Sequence, residues 1–183
     1  MSTNGHSPEG DAPAPAPRRR TTRAKAAPPP EEVVDVFRLE NPRVFPFERF
    51  PKIAPAANPF VMQRQVEWMD LDVYEHVNNV IYVNYAEEAA AQDLAVRGWT
   101  PVKLTESGLA VVTRRVHIQY LSIASWGETL NVSTHPLQVN GLGGSRYVGI
   151  TRADGTTMAE CIIDWELVDR NSGEPRTLPE ELR

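Results

Sequence analysis

A single cysteine, Cys161, among 183 residues excludes an intrachain disulfide and a cysteine-based zinc centre, and it points to a reducing, cytoplasmic setting. No apolar run approaches the roughly 18 residues of a membrane span, and the first residues lack a signal peptide's apolar core, so no membrane association is expected. Nor is there a surplus of positive charge: the chain carries a formal −5. The first thirty residues contribute +3 to that total, which leaves −8 for the rest. A basic face for nucleic acid is therefore not expected. The four histidines lack the spacing of a metal site, and no cofactor is implied.

The hydrophobic share of 41% supports one real core. Residues 1–32 hold a P-A-P-A-P run and the cluster Arg18, Arg19, Arg20, Arg23 and Lys25 with nothing periodic to bury, and are expected to form a disordered tail. Residues 33–59 interleave Phe37, Phe45, Phe47 and Phe50 with Pro42, Pro46, Pro51, Pro55 and Pro59, which suits an extended connector arm laid on a domain surface. The domain proper is expected over residues 60–183.

Alternation of Met62, Val66 and Trp68 with Gln63, Gln65 and Glu67 predicts a strand over 60–69. Residues 79–97 lack Gly and Pro, are rich in alanine and stop at Gly98, which predicts a long central helix. After Trp99 the pattern predicts strands only, over 112–121, 129–136, 146–152 and 158–168. Turns at Gly141, Gly143 and Gly144 and at Asp154-Gly155 link the later ones. One strand, a helix and four strands make an α+β fold, a five-stranded antiparallel sheet curled round a helix.

The densest polar chemistry lies in residues 70–88, D-L-D-V-Y-E-H-V-N-N-V-I-Y-V-N-Y-A-E-E, immediately before that helix. Free N–H groups at a helix start carry a partial positive charge suited to an anion or a developing oxyanion. The run D-L-D-x-x-x-H-V-N-N-V-x-Y resembles the signature of hotdog-fold acyl thioesterases. It is similar above all to the second repeat of plant acyl-ACP thioesterases and to the 4-hydroxybenzoyl-CoA thioesterase-like superfamily. I-Q-Y-L-S-I-A-S-W-G-E-T-L at 118–130 and the closing W-E-L-V-D-R-N-S-G-E-P-R-T-L-P-E-E-L from Trp165 resemble later parts of the same family.

The resemblance implies a single hotdog fold, an acyl-CoA or acyl-ACP substrate, and a homodimer or dimer of dimers, since there is no room for a first repeat. It makes Asp72 the base or nucleophile and His76 a second catalytic residue. Tyr74, Asn78, Asn79, Val80, Ile81 and Tyr82 would contact the substrate, with backbone N–H groups of the first helical turn polarising the thioester carbonyl.

The sequence departs from the family where plant enzymes have Asn and this chain has Tyr74, where bacterial members often have Gly and it has Glu75, and where an acid is replaced by Val116. These departures keep open a non-catalytic hotdog that binds acyl thioesters as a sensor or assembly partner; a hydratase on the same fold is a third reading. Asp70 reads as structural, and Glu87 and Glu88 as solvated helix charges or cleft carboxylates. His117 and His135 read as solvated strand residues. Arg114, Arg115, Arg146 and Arg152 are either solvated too or available to phosphates.

Overall fold

The computed structural model describes residues 50–182, and the expected tail and all but the last ten residues of the expected arm lie outside them. Strand β1 (Phe60–Gln65) runs into a 3-10 turn at Trp68–Asp70. Helix α1 (Asn79–Val96) and a short helix α2 (Pro101–Glu106) follow. Four strands complete the domain: β2 (Leu109–Tyr120), β3 (Thr129–Val139), β4 (Gly143–Arg152) and β5 (Thr157–Asp169). They form one antiparallel sheet in the order β1-β3-β4-β5-β2, which leaves β1 and β2 as its edges.

Strand alternation decides what lies against the helix. One row across the sheet pairs Met62 with Val132, Val132 with Ile150, Ile150 with Ala159 and Ala159 with Tyr120. These side chains pack in the main core with Tyr82, Tyr85, Ala86 and Ala89 of α1. The alanines remove bulk from the buried stripe and let the helix approach the sheet, while Tyr82 and Tyr85 fill the space toward its N-terminal end. Each large apolar side chain so buried is worth about 1.5–3 kcal/mol. This is the expected hotdog arrangement.

Three expectations are corrected. Trp68 does not continue the β1 face: the strand ends at Gln65, and Trp68, in the 3-10 turn, is 66% exposed, edge-on to the Trp126 ring at 6.3 Å. The stretch after Trp99 is not all strand, because Thr100 caps α2 by accepting the Lys103 N–H at 3.2 Å and Pro101 occupies the first turn, where its missing N–H costs nothing. Arg146 is not a solvated strand residue. Its register with Ile163 and Pro136 places it on the inner face, where burial of a cation demands a partner. Asp93 of α1 supplies it at 2.5 Å, and the Ala90 carbonyl accepts a second bond at 2.9 Å.

The turn into β4 needs its glycines. A Cβ at Gly143 would lie 2.2 Å from the Trp165 carbonyl oxygen, and one at Gly144 would lie 2.3 Å from that of Gln138. After β5 the chain folds back, with the Leu178 N–H donating to the Gly141 carbonyl at 2.8 Å, and Leu178 and Leu182 join Trp99 and Leu167 in a second, smaller core at the C-terminal end of α1. Among the described residues no helix is long and apolar enough to cross a membrane.

Candidate active site

Two carboxylates two residues apart have opposite surroundings. Asp70 is buried, and its Oδ2 accepts from the Glu67 N–H at 2.8 Å and from the Tyr85 hydroxyl at 2.6 Å, while its carbonyl accepts the Asn78 N–H at 2.9 Å. It ties the turn to the helix, and burial together with that carboxylate pushes the Tyr85 hydroxyl pKa well up, so Tyr85 stays a donor. Asp70 is structural, as its place in the motif suggested.

Asp72 sits in a tight loop. Its Oδ1 accepts from the Tyr74 N–H at 2.8 Å and weakly from the His76 N–H at 3.4 Å; its own N–H donates to the His76 carbonyl at 2.8 Å. The side chain is thus held by one oxygen, and Oδ2 accepts no hydrogen bond among the described residues. The loop closes through Glu75 with a φ of 62°, a left-handed conformation that costs a residue with a side chain about 1–2 kcal/mol. That conformation explains why glycine is at home at this position.

The far side of the loop is fixed by the sheet. His76 bridges Ser125, and the Val77 N–H donates to the Ala124 carbonyl at 2.9 Å. Ala124 in turn donates its N–H to the Tyr82 hydroxyl at 3.2 Å, and burial raises that phenol to about 12. Beneath these, Glu128 accepts from the Ser125 N–H at 2.9 Å and is bound by the Arg152 guanidinium, which also donates to the Ile123 carbonyl at 2.7 Å. The hydrogen bond from Arg152, more than any other influence, holds the Glu128 carboxyl below its ordinary range, with the Ser125 N–H and the Arg152 charge adding to it.

Asn78 is the cap of α1: its Oδ1 accepts the Val80 N–H at 3.1 Å and its carbonyl the Ile81 N–H at 2.8 Å. Two of the first-turn N–H groups expected to face a substrate are therefore occupied within the chain. The Asn79 N–H has no partner among the described residues, and its carbonyl accepts from the Tyr120 hydroxyl at 3.0 Å.

A groove of about 1000 Å³ runs along this end of the molecule. Asp72, Tyr74, His76, Asn79 and Tyr82 line it, opposite Val116, Ile118 and Tyr120 of β2. Asn78, Val80 and Ile81, also expected to meet substrate, do not line it. Tyr74 is 74% exposed and stands at the rim. Sequence reasoning missed Tyr120, although its inward position in the β2 alternation was a usable signal. It also missed Phe50, whose ring meets His117 edge-on at 5.0 Å and which lines the groove with Pro51.

The other candidates are engaged elsewhere. Arg114 pairs with Glu166 and Arg115 with Asp164, across β2 and β5. Arg115 and His117 nevertheless line the groove from the outer face of the edge strand. His135 is half-buried against the Tyr147 ring at 5.3 Å rather than solvated, and burial followed by the nearby Arg146 charge lowers its pKa. Glu87 accepts the Thr113 hydroxyl at 2.7 Å and lines a separate inner cavity, and Glu88 lies 3.9 Å from Arg64. Among the described residues no group of His, Cys, Asp and Glu could hold a metal ion.

Comparison with known proteins bears on the family and the fold. Residues 66–183 match the thioesterase-like superfamily. The long-chain acyl-CoA thioesterase FadM of Escherichia coli (strain K12) is 30% identical over 125 residues, which cover 66% of this chain and 92% of FadM. The crystal structure of YbaW, a probable thioesterase from Escherichia coli, is similar with a TM-score of 0.58 and 29% identity over 68% of this chain and 93% of that one. Slr0204, a 1,4-dihydroxy-2-naphthoyl-CoA thioesterase from Synechocystis, shares the fold with a TM-score of 0.63 and 18% identity, again over 68% of this chain and 93% of its own.

Proposed function

The chain belongs to the thioesterase-like superfamily, and we propose that it hydrolyses an acyl thioester, of CoA in the first place or of an acyl carrier protein, to the free acid and the thiol. The observation that carries this reading is the half-tethered Asp72: one carboxylate oxygen locked by loop N–H groups, the other unbonded among the described residues, in a groove that also takes in His76 and the start of α1. FadM's action on long-chain acyl-CoA supports CoA as the carrier.

In the water route, Asp72 Oδ2 takes a proton from a water that attacks the thioester carbonyl carbon. The carbon–sulfur bond then breaks, and the thiolate leaves with the proton that Asp72 returns. In the covalent route, Oδ2 attacks the carbonyl itself, expels the thiolate and forms an anhydride that water opens. In both, negative charge develops on the carbonyl oxygen beside the Asn79 N–H and the positive end of the α1 dipole, and one such donor is typically worth about 3–4 kcal/mol. His76 orients water or substrate. Tyr120 and Tyr82, both kept protonated by burial, hold the helix start and the loop behind it in place.

A homodimer completes the site. The groove is lined by both faces of β2, an edge strand of twelve residues whose outer N–H and C=O groups invite pairing with a second copy. The domain that dimerises is residues 60–183, with the arm before it contributing Phe50 and Pro51 to the groove.

The test is hydrolysis of acyl-CoAs and acyl carrier proteins of graded chain length by wild type, Asp72→Asn and His76→Ala. Loss of about 10²–10⁴-fold in kcat for Asp72→Asn is expected. Full activity in that variant would sink the mechanism, and tight binding of intact acyl-CoA with no turnover by wild type would favour a non-catalytic acyl-thioester sensor.

A further inference from the structure

Strand β2 presents two rows of side chains to the groove, and they differ in chemistry. Arg115, His117 and Gln119 come from its outer face. Val116, Ile118 and Tyr120 come from the inner face, packed against the main core yet only partly buried, so each keeps surface to offer a ligand. The polar row suits a hydrated carrier, and the apolar row an aliphatic chain that leaves water along it. Tyr120 marks the end nearest the start of α1, its hydroxyl on the Asn79 carbonyl at 3.0 Å. Four residues of strand separate it from Val116, a path of about 14 Å, which takes an extended chain of roughly ten carbons at about 1.5 Å per C–C bond.

Val116 stands at the far end of that row. The ladder between β2 and β5 slips between Thr113 and Arg115, so Thr113 and Val116 are successive inner-facing positions. Val116 lines the groove, whereas Thr113 lines a second cavity of about 250 Å³ together with Leu94, Leu104 and Val111, and the two spaces share no lining residue. The Thr113 hydroxyl donates to Glu87 at 2.7 Å. A chain that stops at Val116 ends on apolar carbon; a longer one runs toward a carboxylate, an unfavourable neighbour for a methyl group.

We propose that Val116 is a specificity-determining residue that sets the length of aliphatic acyl chain the groove accepts, by ending the inner row of β2 between the groove and the second cavity. The inference rests on the acyl-thioester reading of the groove for the end at which the thioester lies.

The test is calorimetric titration of the full-length protein with S-alkyl-CoA thioethers from butyl to hexadecyl, which cannot be hydrolysed, alongside turnover of the matching acyl-CoAs. For wild type, affinity should rise about two- to fourfold per added methylene and level off near decyl. Val116→Phe should bring the plateau in by about two carbons and cut the decyl-over-butyl preference at least tenfold, while Val116→Ala, which removes two methyl groups, should carry the plateau out by about two carbons. Opposite shifts in two variants of one side chain do not arise from a general loss of stability, and unfolding midpoints check that both are folded.

No saturable binding by wild type, an affinity that does not depend on chain length, plateaus unmoved in both variants, or plateaus moved in the same direction would overturn the proposal. Unmoved plateaus with turnover that Asp72→Asn abolishes would remove this inference and leave the hydrolytic reading. Plateaus that move as expected in a protein that turns over none of the acyl-CoAs would leave the chain path standing and remove the hydrolytic reading.

Discussion

The two ends of helix α1 use the same side-chain type in opposite ways. At the N-terminal end Asp72 is held by one oxygen, half-exposed, on a loop that stores left-handed strain at Glu75. At the C-terminal end Asp93 is saturated by two guanidinium groups, and its side chain and that of Arg146 are 4% and 7% exposed. A carboxylate with an unspent lone pair in a wet groove can take a proton or attack a carbon; one whose oxygens are spent on buried cations can only hold a fold together. On the proposed function, the surroundings and not the residue type separate a reactive carboxylate from a structural one.

The largest effects come from crossing the two ends. Asp93→Leu strands the Arg146 charge beneath the helix and should cost about 3–5 kcal/mol in a denaturant unfolding experiment, whereas Asp72→Asn, which keeps an acceptor for the Tyr74 N–H, should stay within about 1 kcal/mol of wild type while losing its turnover. Turnover per folded molecule should persist in Asp93→Leu. Reversed results, with stability lost at Asp72 and untouched at Asp93, would break the comparison.

A smaller effect separates the ends by pH. Glu128, under the loop at the groove end, has its folded-state pKa lowered below the ordinary 4.5, so its contribution is complete above that value and fades as the pH falls through the folded one. The stability gap between wild type and Glu128→Gln should therefore be widest near neutrality and close on acidification below about pH 4. A gap that does not change with pH would mean that the Arg152 charge is not what holds this loop.

Smallest of all is Glu75→Gly. Relief of the left-handed backbone is offset by the entropy of a freer unfolded chain, so stability should be unchanged or rise by up to about 1 kcal/mol. A fall of more than about 1 kcal/mol would show that the Glu75 side chain itself supports the loop.

Exposed apolar side chains occur at both ends of α1. Trp68, Met69, Val73 and Trp126 stand out from the loop region, a pattern found where a protein meets a partner. At the other end Val96 and Val102 are exposed, while α2 and the returning C-terminal segment bring Leu104, Leu178 and Leu182 against Trp99 and Leu167.

The amino-acid sequence by itself determined what is local or periodic. The helix over 79–97 is within one residue of the observed α1, because helix periodicity, alanine content and a stop glycine act over a few residues. The strand alternation of β2 to β5 and the placement of Asp72 and His76 before a helix that starts at Asn79 were legible for the same reason. The tertiary structure alone decided which polar groups are spent. Nothing local in the sequence of Arg146 distinguishes it from Arg114; only the register of β4 beneath α1 turns one inward to Asp93 while the other stays at the surface with Glu166. The same holds for Asn78 capping the Val80 N–H and for Tyr120 reaching across 41 residues to the Asn79 carbonyl. A hydrogen bond between elements depends on packing distances that no short window of sequence encodes, and it is that accounting which leaves Asp72 with one oxygen unbonded among the described residues.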